Sequence, residues 1–227
     1  MSDAIESVRF RDRTEAGRRL AARLLAYCGR DALVLGIARG GVVVGAPIAE
    51  ALQAELDVIA PRKLPTPFNP EAGFGAIAED GTMYLNPTLV RALGLTEEEI
   101  RAIAADVLVE VRRRVARYRG DRPPPRMSDR PVILVDDGLA TGYTMLAAIE
   151  SVRKEVPARL VVAVPVSPLS TLRLIESRAD EVVCLIVRET EVFAVANFYE
   201  DFRDLRDEEV IALLEQARSR AQERSAS

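Results

Sequence analysis

Residues 132 to 145 read VILVDDGLATGYTM. Four apolar residues end on two adjacent acids, Asp136 and Asp137, and a run of small residues then leads into a helical pattern. A strand that is apolar at every position is buried on both faces, as in a parallel sheet covered by helices. Neighbouring side chains on a strand point to opposite faces. Asp136 and Asp137 therefore need not share one environment: one can meet a ligand while the other orients it or a metal. Ala140-Thr141-Gly142-Tyr143-Thr144 follows. Small residues let the backbone come close to a ligand, free N–H groups at a helix start hold a phosphate, and threonine hydroxyls add donors. The stretch suits a sugar phosphate, with carboxylates on ribose hydroxyls and loop amides on the 5′-phosphate.

The chain around it repeats strand, loop and helix. Apolar runs at 32–37 (ALVLGI), 57–60, 160–166 and 181–187 read as further strands, and helical spacing predicts helices at 13–28, 42–55, 96–119, 142–155, 168–178 and 208 to about 220. Thr96 with Glu99 predicts a capping box, Ser167 and Pro168 a helix start, and Asp207 the cap of the last helix. Residues 64–75 hold three prolines and two glycines and read as a long irregular loop; residues 76–85 read as a hairpin turning at Asp80-Gly81. Residues 120–131 are a connector, and 188–206 are aromatic-rich and irregular. Buried strands alternating with helices predict an α/β fold, a doubly wound parallel sheet of about five strands flanked by helices. Ligands bind such sheets beyond the carboxyl ends of the strands. That rule places Arg39-Gly40-Gly41, Arg62-Lys63 and 136–144 on one rim.

Composition narrows the chemistry. Of 227 residues, 29% are charged and the net charge is −4, which gives no overall electrostatic footprint for nucleic acid. A local basic run, Arg112, Arg113, Arg114, Arg117 and Arg119, spreads over more than one helix face and reads as solvated. There is no histidine, which excludes serine–histidine and cysteine–histidine nucleophiles and most zinc sites. Any metal would sit on oxygens, favouring Mg²⁺. Cys28 and Cys184 lack metal-site spacing and read as buried packing residues in a reducing compartment. Neither a leader-like apolar segment nor a membrane-length run is present, so the expectation is a cytoplasmic protein with no membrane partner. Gly73-Phe74-Gly75-Ala76-Ile77-Ala78 fits a dinucleotide-binding pattern only formally, because it follows no strand and Asp80-Gly81 cuts off any helix.

VILVDDGLATGYTM resembles the phosphoribosyl-pyrophosphate motif of the type I phosphoribosyltransferases: four hydrophobics, two acids and a loop ending in T-G-x-T. Within that family the chain looks most like uncharacterised prokaryotic members. The resemblance covers about residues 30–188 as core. It implies one phosphoribosyltransferase-like domain over 1–227, with a hood from about 1–12 and 189–206 and a flexible loop at about 64–80. It also implies Mg²⁺, phosphoribosyl pyrophosphate and a nucleobase-like acceptor as partners, and a homodimer. Carried over residue by residue, Asp136, Asp137, Arg39 and Lys63 become catalytic candidates. Gly40, Gly41, Arg62, Ala140, Thr141, Gly142, Tyr143 and Thr144 become substrate-binding candidates. Asp136 and Asp137 approach the metal indirectly, through substrate or water. The implied reaction moves ribose 5-phosphate to the acceptor and releases pyrophosphate; a sensor of phosphoribosyl pyrophosphate without transfer is the alternative. Ala140 stands where 6-oxopurine enzymes usually carry an acid, which disfavours hypoxanthine or guanine. Phe193, Phe198 and Tyr199 either stack on a planar base or pack the C-terminal segment, and Glu189 and Glu191 are candidate proton acceptors.

Overall fold

The computed structural model describes residues 9–190 and 193–225, leaving out the side chains of residues 70, 71 and 225. Helix α1 (Arg13–Arg23) starts where the Asp12 side chain accepts the Glu15 N–H at 2.7 Å, and it turns Ala16 and Leu20 inward. A 3-10 turn at Leu25–Tyr27 replaces the end of the single helix expected over 13–28. Strand β1 (Leu33–Ile37) leads into α2 (Gly40–Leu52), and β2 (Glu55–Ile59) follows.

The chain then leaves the main sheet. Residues 64–75, expected as an irregular loop, belong largely to two strands: β3 (Arg62–Thr66) and β4 (Asn69–Ile77) pair antiparallel, and β5 (Met83–Leu85) adds a third strand. The expected turn at Asp80-Gly81 closes the β4–β5 hairpin, with Asp80 accepting from the Thr82 N–H at 2.9 Å. After a short helix, α3 (Pro87–Ala92), comes α4 (Glu97–Arg119), whose Thr96 and Glu99 form the predicted capping box. Leu64, Phe74 and Ile77 of the small sheet pack on Ile100, Ala104 and Val111 of α4.

The second half returns to the main sheet through β6 (Pro131–Val135), α5 (Tyr143–Lys154), β7 (Arg159–Pro168), α6 (Leu169–Glu176), β8 (Glu181–Arg188) and α7 (Asp207–Ser225). Because β7 runs on through Pro168, α6 starts one residue later than Ser167-Pro168 suggested; α7 begins at Asp207 itself and outlasts the expected end near 220. The five strands are parallel in the order β2-β1-β6-β7-β8. From β1 the chain moves outward to β2, and from β6 it moves the other way to β7 and β8. The switch point therefore lies between β1 and β6, where a doubly wound sheet opens its ligand crevice.

Alternation along β6 decides the site. Ile133 and Val135 face the layer of α1, α2 and α7, while Val132 and Leu134 face α5 and α6. Asp137 continues the first series and Asp136 the second. Two expectations of burial fail in opposite senses. Cys28, read as a packing residue, is exposed beyond the 3-10 turn. Arg119, read as solvated, is buried.

Candidate active site

Both helices that begin at the switch point start without a side-chain cap. Helix α2 follows Arg39 and helix α5 follows Gly142, and neither first turn is closed by a side-chain oxygen. Uncapped first turns leave backbone N–H groups pointing outward with a partial positive charge. Asp136 and Asp137 lie between them.

Gly40 and Gly41 make this proximity possible. A Cβ on Gly40 would stand 1.9 Å from Asp137 Oδ2, and one on Gly41 would stand 2.2 Å from the Val135 carbonyl oxygen. Any larger residue would push α2 off the end of β6. Gly142 has a φ of 76°, the left-handed region open to glycine, and its Cα faces Thr171 of α6. The loop before it is pinned from behind. The Leu139 N–H donates to the Val166 carbonyl at 2.9 Å, and Thr171 Oγ1 donates to the Ala140 carbonyl at 2.7 Å. Ala140 and Thr141 are exposed and Thr144 is half-buried.

The Tyr143 ring is buried 5.7 Å from that of Tyr84, and its hydroxyl accepts from Asn86 Nδ2 at 2.7 Å. Asn86 also caps α3, so one amide joins the small sheet's flank to the loop.

The acid pair is partly neutralised by the protein. Asp137 Oδ2 accepts from Arg13 Nε at 2.7 Å, and its carbonyl accepts from the Tyr199 hydroxyl, also at 2.7 Å. Asp136 Oδ1 accepts the Asp137 N–H at 2.9 Å. Burial, followed by the Asp137 charge, pushes the Asp136 carboxyl well above its ordinary range. Burial also raises Asp137, against the pull of Arg13. Burial and then the Asp137 charge raise the Tyr199 hydroxyl, which stays a donor.

The other candidates are spread around this centre. Arg39 approaches Asp207 of α7 at 3.8 Å. Arg62 and Lys63 stand beyond the end of β2, at the start of β3, where Arg62 pairs with Glu110. Both line a cavity of about 660 Å³ together with Asp106, Glu110 and Thr144. A second cavity of about 580 Å³ lies across the loop, between Ala140, Thr141, Tyr84, Asn86, Thr171 and Phe193. Phe10 bridges to Tyr199, and both pack with Phe193, Phe198 and Phe202. Tyr199 is buried packing, whereas Phe193 is half-buried at the second cavity. Glu189 is exposed, and Glu191 lies outside the described residues.

Residues 11–202 match the model of the phosphoribosyl transferase domain. The chain belongs to the phosphoribosyl transferase family. Two strains of Mycobacterium tuberculosis have relatives, provisionally named phosphoribosyl transferases, that are 42% identical over 208 residues. The match takes in 92% of this chain and 47% of each relative, so the chain spans about half the length of the curated relatives it matches. The crystal structure of TT1426 from Thermus thermophilus is 42% identical and superposes with a TM-score of 0.77, covering 92% of this chain and 98% of that one. The parallel sheet β2-β1-β6-β7-β8 with its flanking helices is the type I phosphoribosyltransferase fold.

Sequence reading alone missed Arg13, Asn86, Tyr199's backbone bond and the α4 acids. Arg13 carried a usable signal: it falls on the same helical face as Ala16 and Leu20, where a charge needs a partner. Asn86 and Glu110 gave none, because their roles depend on the placement of the small sheet.

Proposed function

We propose that the protein transfers ribose 5-phosphate from phosphoribosyl pyrophosphate to a nucleobase-like acceptor. One observation carries this reading. Two adjacent carboxylates, which take a side-chain donor from outside the pair only at Arg13, sit beside the uncapped start of α5. Two such carboxylates suit the two vicinal hydroxyls of a ribose, and N–H groups of 140–144 suit its 5′-phosphate.

In the reaction an acceptor nitrogen attacks C1 of the sugar, and the bond from C1 to the pyrophosphate oxygen breaks. Pyrophosphate leaves with the electron pair, and the acceptor's proton passes to solvent. The residues of this chain orient the sugar and meet the charge of the leaving group. Arg39 with the N–H groups of Gly40 and Gly41 lies on one side, and Lys63 with Arg62 lies across the larger cavity. Among the described residues no three acidic, cysteine or histidine side chains cluster to cage a metal. The carboxylates of Asp136 and Asp137 would help hold Mg²⁺, a hard cation that takes oxygen ligands. When bound, Mg²⁺ would offset the negative charge growing on pyrophosphate. The acceptor belongs in the smaller cavity, against the Phe193 ring, where Ala140 leaves no acid at the loop. The same reading makes the protein a cytoplasmic homodimer, which fractionation and sedimentation would check.

The test mixes the protein with phosphoribosyl pyrophosphate, Mg²⁺ and a panel of purine and pyrimidine bases. Mass spectrometry then looks for new nucleotides, and a coupled assay for pyrophosphate. A nucleotide formed together with pyrophosphate is the expected result; binding without any product across the panel would contradict transfer.

A further inference from the structure

The acid pair is half committed in a regular way. Asp136 Oδ1 is taken by the Asp137 N–H at 2.9 Å, and Asp137 Oδ2 by Arg13 Nε at 2.7 Å. Beyond these, the two carboxyls meet each other and Asp137's own N–H, so among the described residues Arg13 is the one side chain outside the pair that donates to it, and the remaining oxygen of each is open to a partner from outside the pair. Two like charges this close favour turning apart. What holds Asp137 in place is a guanidinium that is itself immobilised. Arg13 lies 3.8 Å over the Phe202 ring, donates from Nη1 to the Arg203 carbonyl at 3.0 Å, and keeps only 10% of its side chain exposed. Gly40 closes the other side of the same carboxylate.

We infer that Arg13 is a positioning residue for sugar recognition: it aims the open oxygen of Asp137 beside that of Asp136, as a vicinal diol requires, and ties that aim to residues 199–203. The inference rests on the reading of the site as a ribose 5-phosphate binder and adds a residue outside the motif. Its chemical consequence is selectivity. A sugar lacking the 2-hydroxyl leaves one aimed carboxylate oxygen unpaired, and hydrogen bonds to charged groups are the strong ones.

Isothermal titration in Mg²⁺ buffer with ribose 5-phosphate and with 2-deoxyribose 5-phosphate tests this without relying on turnover. The wild-type chain should prefer the ribose form about tenfold or more. Arg13→Gln should bind the two forms equally, near the affinity of the deoxy sugar. Arg13→Lys keeps the charge but loses the planar fork and the stacking, and should recover only part of the preference. A purely structural Arg13 would weaken both sugars together and leave their ratio intact, which would overturn the inference; so would a wild-type chain that binds both sugars equally. Binding of neither sugar by the wild-type chain would sink the site reading itself. Should Arg13→Gln fail to fold, Phe202→Leu removes the stacking platform and leaves the ion pair. A preference that falls about threefold supports the inference, and an unchanged preference counts against it.

Discussion

Of the three buried arginines among the described residues, Arg119 and Arg13 each stand beside a pair of buried or half-buried acids, and these two clusters are finished differently. Arg119 directs Nε to Asp57 at 3.5 Å, Nη1 to Glu79 at 3.3 Å and Nη2 to the Val58 carbonyl at 3.0 Å. Asp57 is further held by the Val58 N–H at 2.6 Å. The oxygen left over, Glu79 Oε2, is buried with no partner. Arg13 is held as firmly, but the acids beside it are not left with a buried unpartnered oxygen. Burial is the largest influence on Asp57, Glu79, Asp136 and Asp137 alike, and it raises all of them. Elevated carboxyls alone therefore do not mark a site. What separates the clusters is their neighbourhood: only the Asp136–Asp137 pair sits beside two uncapped helix starts. The first cluster joins β2, α4 and the hairpin end of the small sheet; the second faces the crevice.

The sharpest way to break this contrast is to remove each cluster's key group. Arg119→Met should cost about 3–5 kcal/mol of stability, because two buried acids lose their cation. Chemical denaturation would show that loss, while the folded fraction should bind phosphoribosyl pyrophosphate as the wild-type chain does. Asp136→Asn should do the reverse, lowering kcat/KM for phosphoribosyl pyrophosphate about 100-fold with the fold intact. Equal losses of binding in both variants would erase the distinction.

Titration sharpens it further. A carboxyl whose folded pKa is raised contributes stability that is complete below its unfolded pKa and is lost as pH rises through the folded value. Asp136 is such a group, so its own contribution to the stability of the ligand-free chain should fall from pH 4 upward. Asp136→Asn removes that loss, and its Tm advantage should widen between pH 4 and pH 8; differential scanning fluorimetry across that window would reveal a constant or shrinking gap. Glu79→Gln should show the smallest effect: a weaker version of the same widening, from the same sign, with sugar-phosphate affinity unchanged.

Much of this was legible in the sequence, for identifiable reasons. The parallel strands announce themselves because both faces are buried, so β1 and β6 are apolar at every position. The motif at 132–145 named the loop, the acids and the helix start together. Of the small sheet, the β4–β5 hairpin was legible from its Asp80-Gly81 turn, whereas β3 and the first part of β4 were not, because their residues look like a loop. Strand β3 lies at the sheet's edge, and Pro65 sits at a shift in its pairing register, where a missing N–H does little harm. Gly73 and Gly75 weaken β4 on paper, yet β4 is flanked on both sides by strands. The Tyr143 contact with Asn86 was illegible for a related reason: it depends on where the small sheet's flank lies. The partner of Asp137 sits 124 residues away on another helix, a separation that spacing within a motif cannot reveal.

The central claim is that residues 136–144 bind phosphoribosyl pyrophosphate. Titrating that compound with Mg²⁺ into the wild-type chain, Asp136→Asn and Glu79→Gln tests it most directly. The account predicts saturable one-to-one binding that weakens at least about tenfold in Asp136→Asn and is unchanged in Glu79→Gln. No binding by the wild-type chain, or equal weakening in both variants, would contradict it.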